Sequence, residues 1–413
     1  MIIIKGKDNK SMQQIKALKA QLKAEKFEDK YPLYDLNDGK VHVLYIWPCL
    51  NGTGYYRSIA PALELNKTHT HCALISGIHS WDFNKQFDDY DSPVDERLIQ
   101  WAHYIVLPTI FTDVEYIIRA LLEINDDLKF VMDLDQNFHQ IPKDHPDHDK
   151  ISTEMKKQLL KNISRMDLMT GALEELLDYY DSLLEKHFPN STVFLEYLPN
   201  LISTLTYEEI EPPRKGNQGR KRINNSASWR PTSETVRIGL IGSLASAEDI
   251  LNILESLRAI QNKYCEKVEF IFFGWDGQLK GENKLVDLKF KYVKSVSFTD
   301  YINILKDLSL DIALLPLRDI SFNTKGKSAI KYFELSVFRI PVIASSVAPY
   351  SKVIKHEETG LLVKEPEQWT TAMDSLIQNE RFRKRIGKAA SRAVWRMNAY
   401  NDANIGLYQS VFI

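Results

Sequence analysis

Three side chains in the second half of the chain combine residue type and spacing in a way that suits chemistry. Lys327, Lys331 and Glu334 stand four and three residues apart, so on a helix all three rise from one face. Two ammonium groups and a carboxylate aimed past the end of a sheet suit a phosphorylated, sugar-bearing ligand. The cations offset diphosphate charge, and the carboxylate accepts hydrogen bonds from sugar hydroxyls. The alternative is a solvated helix face carrying a helpful Lys–Glu pair.

The elements that must position these groups follow from the surrounding pattern. Ile330, Phe333 and Val337 share another face of a helix predicted over Thr324–Phe338, as expected for a helix packed on a sheet. A short buried strand Pro341–Ser345, a polar loop Ser346–Tyr350, a second short helix and a last strand Gly360–Val363 follow. Backbone amides of the Ser346, Val347, Ala348, Pro349 and Tyr350 loop, at the mouth of a helix, are candidate phosphate donors.

Length and composition bound the rest. A chain of 413 residues exceeds one ordinary core, and its 44% hydrophobic and 26% charged content is that of a folded soluble protein. A net charge of −2 gives no global reason to expect nucleic acid or an anionic membrane. The three cysteines, Cys49, Cys72 and Cys265, lack metal-ligand spacing and fit a reduced, cytoplasmic setting. No apolar run is long enough to span a bilayer, and the start is too short in apolar residues for a signal peptide.

Taken in order, residues 1–40 form a lysine-rich leader in which Met12, Ile15, Leu18 and Leu22 recur at helical spacing. That helix is either a docking helix for a partner enzyme or the inner face of a membrane, or an amphipathic helix lying on its own domain. Residues 41–205 alternate apolar strands (Val41–Trp47, Cys72–Ser76, Ala102–Leu107, Lys129–Leu134, Met166–Thr170, Val193–Leu198) with helices at Gly54–Leu65, Asp113–Ile124, Ile151–Ile163 and Ala172–His187. Near-continuous hydrophobic strands separated by helices indicate a parallel sheet covered on both faces, a Rossmann-like domain.

Residues 206–234 are rich in Pro, Gly and basic side chains and read as a flexible basic linker. Residues 235–395 repeat the strand–helix grammar, with strands at Val236–Ile241, Val268–Phe273, Phe290–Val296 and Asp311–Leu315 before those already named. Residues 396–413 hold a last helix. The fold class is therefore α/β, two doubly wound domains with a cleft between two sets of strand ends, where ligands of such sheets sit.

Loops at those ends supply the remaining candidates. Asn51, Gly52, Thr53 and Gly54 follow the first strand; the glycines let backbone approach a ligand and the polar residues supply donors and acceptors. Gly242 and Ser243 follow the second domain's first strand without the Gly-x-Gly-x-x-Gly fingerprint, which argues against a dinucleotide cofactor. Gly274 and Trp275, and Asn323 in the loop Leu317–Thr324, are candidate walls for a nucleotide base. Asp133 and Asp135, with His139, His145 and His148 nearby, have a spacing open to a divalent metal. The preferred role for Asp135, Gln136 and Asn137 is to hold acceptor hydroxyls or the loop itself.

With these residues in view, the chain resembles the GT-B glycosyltransferases, most nearly the broad retaining family four of bacterial cell-surface glycan synthesis. The resemblance rests on Lys331, Glu334, Pro341–Ser346 and the segment ETGLLV at Glu358–Val363. Weaker likeness lies in GYYR, in DLDQNFHQIP and in Tyr197–Asn200.

The resemblance implies that Glu334 anchors the ribose hydroxyls of a nucleoside-diphosphate sugar and that Lys327 and Lys331 clamp its diphosphate. It also exposes three departures. The family's first glutamate falls at Gly326, its helix-ending glycine falls at Arg339 so that the left-handed cap should be missing, and the loop after Gly242 carries Glu248 and Asp249 where a phosphate-binding basic residue is usual. The implied reaction is hexosyl transfer to a glycan acceptor with retention, using no cofactor, no metal and no nucleic acid. The alternatives are a non-catalytic relative that binds glycan or a partner enzyme, and a sugar-nucleotide isomerase or phosphorylase on the same fold.

Overall fold

Strand burial follows from strand composition. In the first sheet β1 (Val41–Ile46), β2 (His71–Ser76) and β3 (Tyr104–Leu107) are buried along almost their whole length, as a parallel sheet covered on both faces requires. With β4 (Lys129–Leu134), β5 (Leu168–Gly171) and β6 (Phe194–Tyr197) they form a six-stranded sheet in the order β2-β1-β3-β4-β5-β6, every pairing parallel. The computed structural model describes residues 13–46, 51–76, 95–207, 235–279 and 282–413.

The second sheet follows the same plan. Its strands β7 (Val236–Ile241), β8 (Val268–Phe273), β11 (Phe290–Val293), β12 (Ile312–Leu315), β13 (Val342–Ser345) and β14 (Leu361–Val363) run in the order β11-β8-β7-β12-β13-β14, all parallel. A two-stranded antiparallel ribbon, β9 (Gln278–Leu279) with β10 (Glu282–Asn283), lies outside that sheet.

The chain divides into two compact units that do not follow sequence order. One holds Gln13–Ser203, Asp319–Ser328 and Ala399–Ile413; the other holds Thr204–Arg318 and Ala329–Asn398 among the described residues. In the first, Leu44, Ile105, Met132 and Met169 meet Trp101, Leu176 and Tyr180 in one core. The leader helix Gln13–Gln21 belongs to this unit, with Ile15 buried at 1% exposure and Leu22 packed against the core, so its apolar stripe lies on its own domain. The final helix Asp402–Val411 is tied to the same unit: Tyr408 donates to Pro199 O at 2.8 Å, and Ala399 bridges Ile202.

In the second unit Ile238, Leu240, Phe270, Phe272 and Leu314 form a core with Leu257, Trp369 and Ile386. The expected helix Thr324–Phe338 is two pieces, Ser321–Thr324 and Ile330–Val337. A side chain at Gly326 would place its Cβ 2.7 Å from Phe322 O and 2.8 Å from Asn137 N. The backbone therefore passes through a gap that only glycine fits, and the regular helix stops there.

The end of Ile330–Val337 corrects another expectation. Arg339 itself adopts the left-handed conformation, φ 59°, with Ile340 N bonded to Leu335 O at 3.1 Å and Arg339 N to Ser336 O at 2.9 Å. Those two bonds are the Schellman arrangement with arginine where glycine is usual. The cap is present, at the steric cost of a Cβ in left-handed backbone.

Candidate functional site

At the carboxyl end of β7 two glycines fix each other. Gly242 N donates to Phe273 O at 3.0 Å, and Gly274 at φ 105° comes so close that a Cβ there would lie 2.6 Å from Gly242 O. The ends of β7 and β8 are thus held together by backbone approach. Ser243 stands exposed beside them. Trp275 is a core residue instead of a wall, 2% exposed, its indole N–H donating to Gln278 O at 2.9 Å.

Charged side chains gather beside this strand end. Lys331 Nζ donates to Ile241 O, the last carbonyl of β7, at 3.0 Å. Arg318, three residues beyond β12, donates through its backbone N and through Nε to Asp249 Oδ1 at 3.0 and 3.1 Å. Asp249 is 2% exposed while the Arg318 side chain keeps 29%. The sequence places no cation in the loop after Gly242; the fold brings Arg318 to the acidic helix that follows that loop. The only sequence signal for it was its place in the strand-ending loop Leu317–Thr324.

Glu334, from the helix Ile330–Val337, is buried at 4% exposure. Its carboxylate accepts from Tyr301 at 2.9 Å and from Tyr207 at 3.3 Å, one hydroxyl on each oxygen. Burial first, and then the Glu334 charge, push the Tyr301 phenol well above its ordinary range. Tyr350 is raised by burial, with Asp249 and Glu334 adding to it. Tyr301 and Tyr207 carried no motif in the sequence. Ser346 N is bonded to Val363 O at 2.7 Å, Val347 O accepts from Ser351 N at 3.0 Å, and Ala348–Pro349 is a cis peptide leading into the short helix Tyr350–Val353.

Lys327 does not share a helix face with Lys331 and Glu334. It falls between the two helical pieces, and its Nζ lies 5.7 Å from the Phe322 ring, within the first unit. Asn323 also belongs to that unit, at 1% exposure. Both departures follow from the break at Gly326.

The first unit gathers its own predicted residues. Asn51 Oδ1 accepts from Gly54 N at 2.9 Å and caps the turn Gly52–Gly54; a π-helical turn, Tyr55–Ile59, follows, a feature frequent at functional sites. Thr53 Oγ1 donates to Asp135 Oδ2 at 2.8 Å. Burial raises the half-buried Asp135 carboxyl above its ordinary range, Thr53 opposing and the Asp133 charge reinforcing that shift.

Asp133 faces inward to Arg57, Nε at 2.9 Å and Nη2 at 2.6 Å, and to Thr170 at 2.6 Å. Arg57 also reaches Leu198 O and Asn200 Oδ1, and Asn200 Nδ2 donates to Ser328 at 2.9 Å. Burial lowers the Arg57 pKa, and the Asp133 charge and hydrogen bond outweigh it, leaving the group raised. Asn137 is fully buried with Nδ2 on Gln140 at 3.2 Å and its Oδ1 without a hydrogen-bond partner among the described residues; Gln136 is half-buried beside it.

The Asp133–Asp135 pair does not fit a cation. Asp133 spends both oxygens on Arg57 and Thr170, His139 bonds Tyr180 at 3.1 Å, and His148 bonds Ile141 O at 3.0 Å. Among the described residues no three His, Cys, Asp or Glu side chains converge on one point.

Residues 221–393 match the family model described as glycosyl transferases group 1. No curated protein sequence matches the chain. Sucrose-phosphate synthase from Thermosynechococcus elongatus superposes with a TM-score of 0.55 at 11% identity, over 90% of this chain and 99% of that one. The Anabaena protein HepE, solved in complex with UDP-glucose, gives a TM-score of 0.55 at 11% identity over 90% and 99%. Against the longer S. aureus protein TarM the TM-score is 0.48 at 11% identity, with 77% of this chain aligned to 58% of that one. At such identities the likeness is one of fold, the GT-B fold of glycosyltransferases, and function has to be argued from the site.

Proposed function

We propose that this GT-B chain transfers a hexose from a nucleoside-diphosphate sugar to a glycan or other cell-surface acceptor, with retention of configuration and without a metal or a cofactor. The observation that carries the reading is the grouping of Lys331, Arg318 and Asp249 at the carboxyl ends of β7 and β12, where ligands of doubly wound sheets bind, with Glu334 three residues after Lys331 on the same helix. It lies inside the stretch that matches the group 1 family model.

In this reading Lys331 and Arg318 contact the diphosphate. As negative charge grows on the leaving oxygen, cations already held in place, by Ile241 O and by Asp249, stabilise it without reorganising. Asp249 keeps the guanidinium fixed so that little side-chain freedom is lost on binding. Glu334 offers its carboxylate to the ribose diol by exchanging the longer of its two tyrosine bonds, that from Tyr207 at 3.3 Å. Gly242, Ser243, Gly274 and the Ser346–Tyr350 loop supply backbone around the donor. In the first unit Thr53 and Asp135 form the polar pair offered to an acceptor hydroxyl, with the Asn51–Gly54 turn and Gln136 beside it.

The test is a thermal-shift screen with UDP, GDP, dTDP, CDP and ADP, with and without magnesium. A ligand at a hundred times its dissociation constant adds roughly 2.7 kcal/mol of stability. One diphosphate should stabilise the protein regardless of magnesium, and Glu334→Ala should abolish the shift. Lys331→Ala should cut turnover by roughly a hundredfold or more, the scale of losing one preorganised donor. Absence of a shift with every diphosphate would leave the non-catalytic reading in place.

A further inference from the structure

The helix Glu380–Met397 carries seven basic side chains against one acidic, so it holds a net +6 in a chain whose formal charge is −2 and which is −8 outside this helix. Its packing sorts those charges. Ile386, Gly387, Ala390, Ser391 and Val394 are buried, and Gly387 fits so closely that a Cβ there would lie 2.0 Å from Arg339 O. Arg383 turns inward and donates to Leu376 O at 2.7 Å. Lys384 pairs with Glu380 at 2.5 Å.

What remains outward is a single row. Arg381, Arg385, Lys388, Arg392 and Arg396 are all exposed, and their spacing of four, three, four and four residues keeps them within one narrow arc of the helix. The row is about 22 Å long at ~1.5 Å per residue. Among the described residues no carboxylate lies within 4 Å of Arg381, Arg385, Lys388 or Arg392. Trp395, partly exposed, stands at the edge of the row.

We propose that this face docks on an anionic phospholipid bilayer. Like charges in a row repel one another and destabilise the free protein, and a dense anionic plane relieves that repulsion. The row is straight and lies on a helix pinned by the Gly387 contact, which suits a flat surface. Long Arg and Lys stems reach headgroup phosphates while Trp395, at the edge of the row, enters the interfacial layer. A nucleic acid would find the cations and no run of aromatic faces between them for bases to stack on. The inference stands independently of the glycosyl-transfer reading.

The experiment is co-sedimentation of the full chain with vesicles of phosphatidylcholine, alone and mixed with phosphatidylglycerol. The protein should bind the mixed vesicles and not the neutral ones, and should dissociate as salt rises from about 0.1 M to about 1 M and the screening length shrinks from ~10 to ~3 Å. The triple change R385E, K388E and R392E should weaken binding by about a hundredfold or more, at about fivefold per cation, with an unaltered melting transition. If the triple variant melts early, the milder pair K388Q and R392Q should still weaken binding by about twentyfold. Binding of the charge-reversed protein at wild-type affinity overturns the proposal, as does wild-type protein that ignores mixed vesicles, including the case in which it is retained by RNA instead.

Discussion

Replacing Gly326 with alanine places a methyl carbon 2.7 Å from Phe322 O and 2.8 Å from Asn137 N. Both neighbours are backbone atoms, so no flexible side chain can swing clear, and Asn137 is fully buried. Overpacking of this kind costs about 1–3 kcal/mol. The loss is offset by about 0.4–1 kcal/mol from the stiffer unfolded chain, which leaves a net destabilisation of about 1 kcal/mol. For a unit of some 150–250 residues each kcal/mol moves the transition by about 2–4 °C, so the first unit should melt about 2–4 °C early. Differential scanning calorimetry, with urea unfolding as a second probe, reads this directly. The matched control is Gly52→Ala in the same unit, where nothing lies within 4 Å of the added Cβ and the change should stabilise by about 0.4–1 kcal/mol. A Gly326→Ala protein as stable as the Gly52→Ala control would refute the close packing and, with it, the reason for the helix break. The same contact predicts that Gly326→Glu, which restores the family's first glutamate, destabilises the unit instead of creating a new sugar contact.

Other expectations follow from single contacts. Arg57→Ala strands the inward-facing Asp133 carboxylate and should cost about 3–5 kcal/mol by urea denaturation; a smaller loss would show that Thr170 suffices. Arg339→Gly removes the Cβ from a left-handed cap and should raise stability of the second unit by about 1 kcal/mol. Burial, then Lys156, holds the His139 ring down to about 4 from an ordinary 6.5. Between those values the unfolded chain binds a proton that the folded one refuses, so stability is full above about pH 6.5 and falls as pH drops toward 4. The full shift would be worth roughly 3 kcal/mol; solvent reaching the half-buried ring reduces it to about 2 kcal/mol, and His139→Gln should flatten that part of the pH–stability curve. In the second unit Asp249→Ala removes the carboxylate that holds Arg318, and diphosphate affinity should fall although a negative charge has been removed. Tighter binding would mean that Asp249 only repels the ligand.

Much of the fold was legible in the chain. Lys129–Leu134, Val236–Ile241 and Val268–Phe273 match their strands to the residue, because a parallel strand buried on both faces writes itself as a nearly continuous apolar run. That Lys331 and Glu334 share one helix and that Thr53 and Asp135 follow strands was readable from type and spacing, since a helix face and a strand-ending loop are local properties. The helix break at Gly326 was not legible. A lone glycine is tolerated inside helical patterns, and the backbone this one packs against is that of Asn137, nearly two hundred residues earlier. Arg318 was hidden for the same reason: its partner Asp249 lies after a different strand, and only the adjacency of β7 and β12 joins them. Tyr207 and Tyr301 came to Glu334 from a strand-free segment and an ordinary amphipathic helix.

By itself, then, the sequence determined the periodicities, and through them two parallel sheets, their helices and the residues at each strand end. Tertiary structure alone decided which strand ends became neighbours. It thereby set which cation faces which carboxylate, and where backbone approaches backbone too closely for any side chain. Hydrophobic pattern is set over a few residues, whereas hydrogen bonding and steric exclusion act between atoms that the chain brings together from far apart.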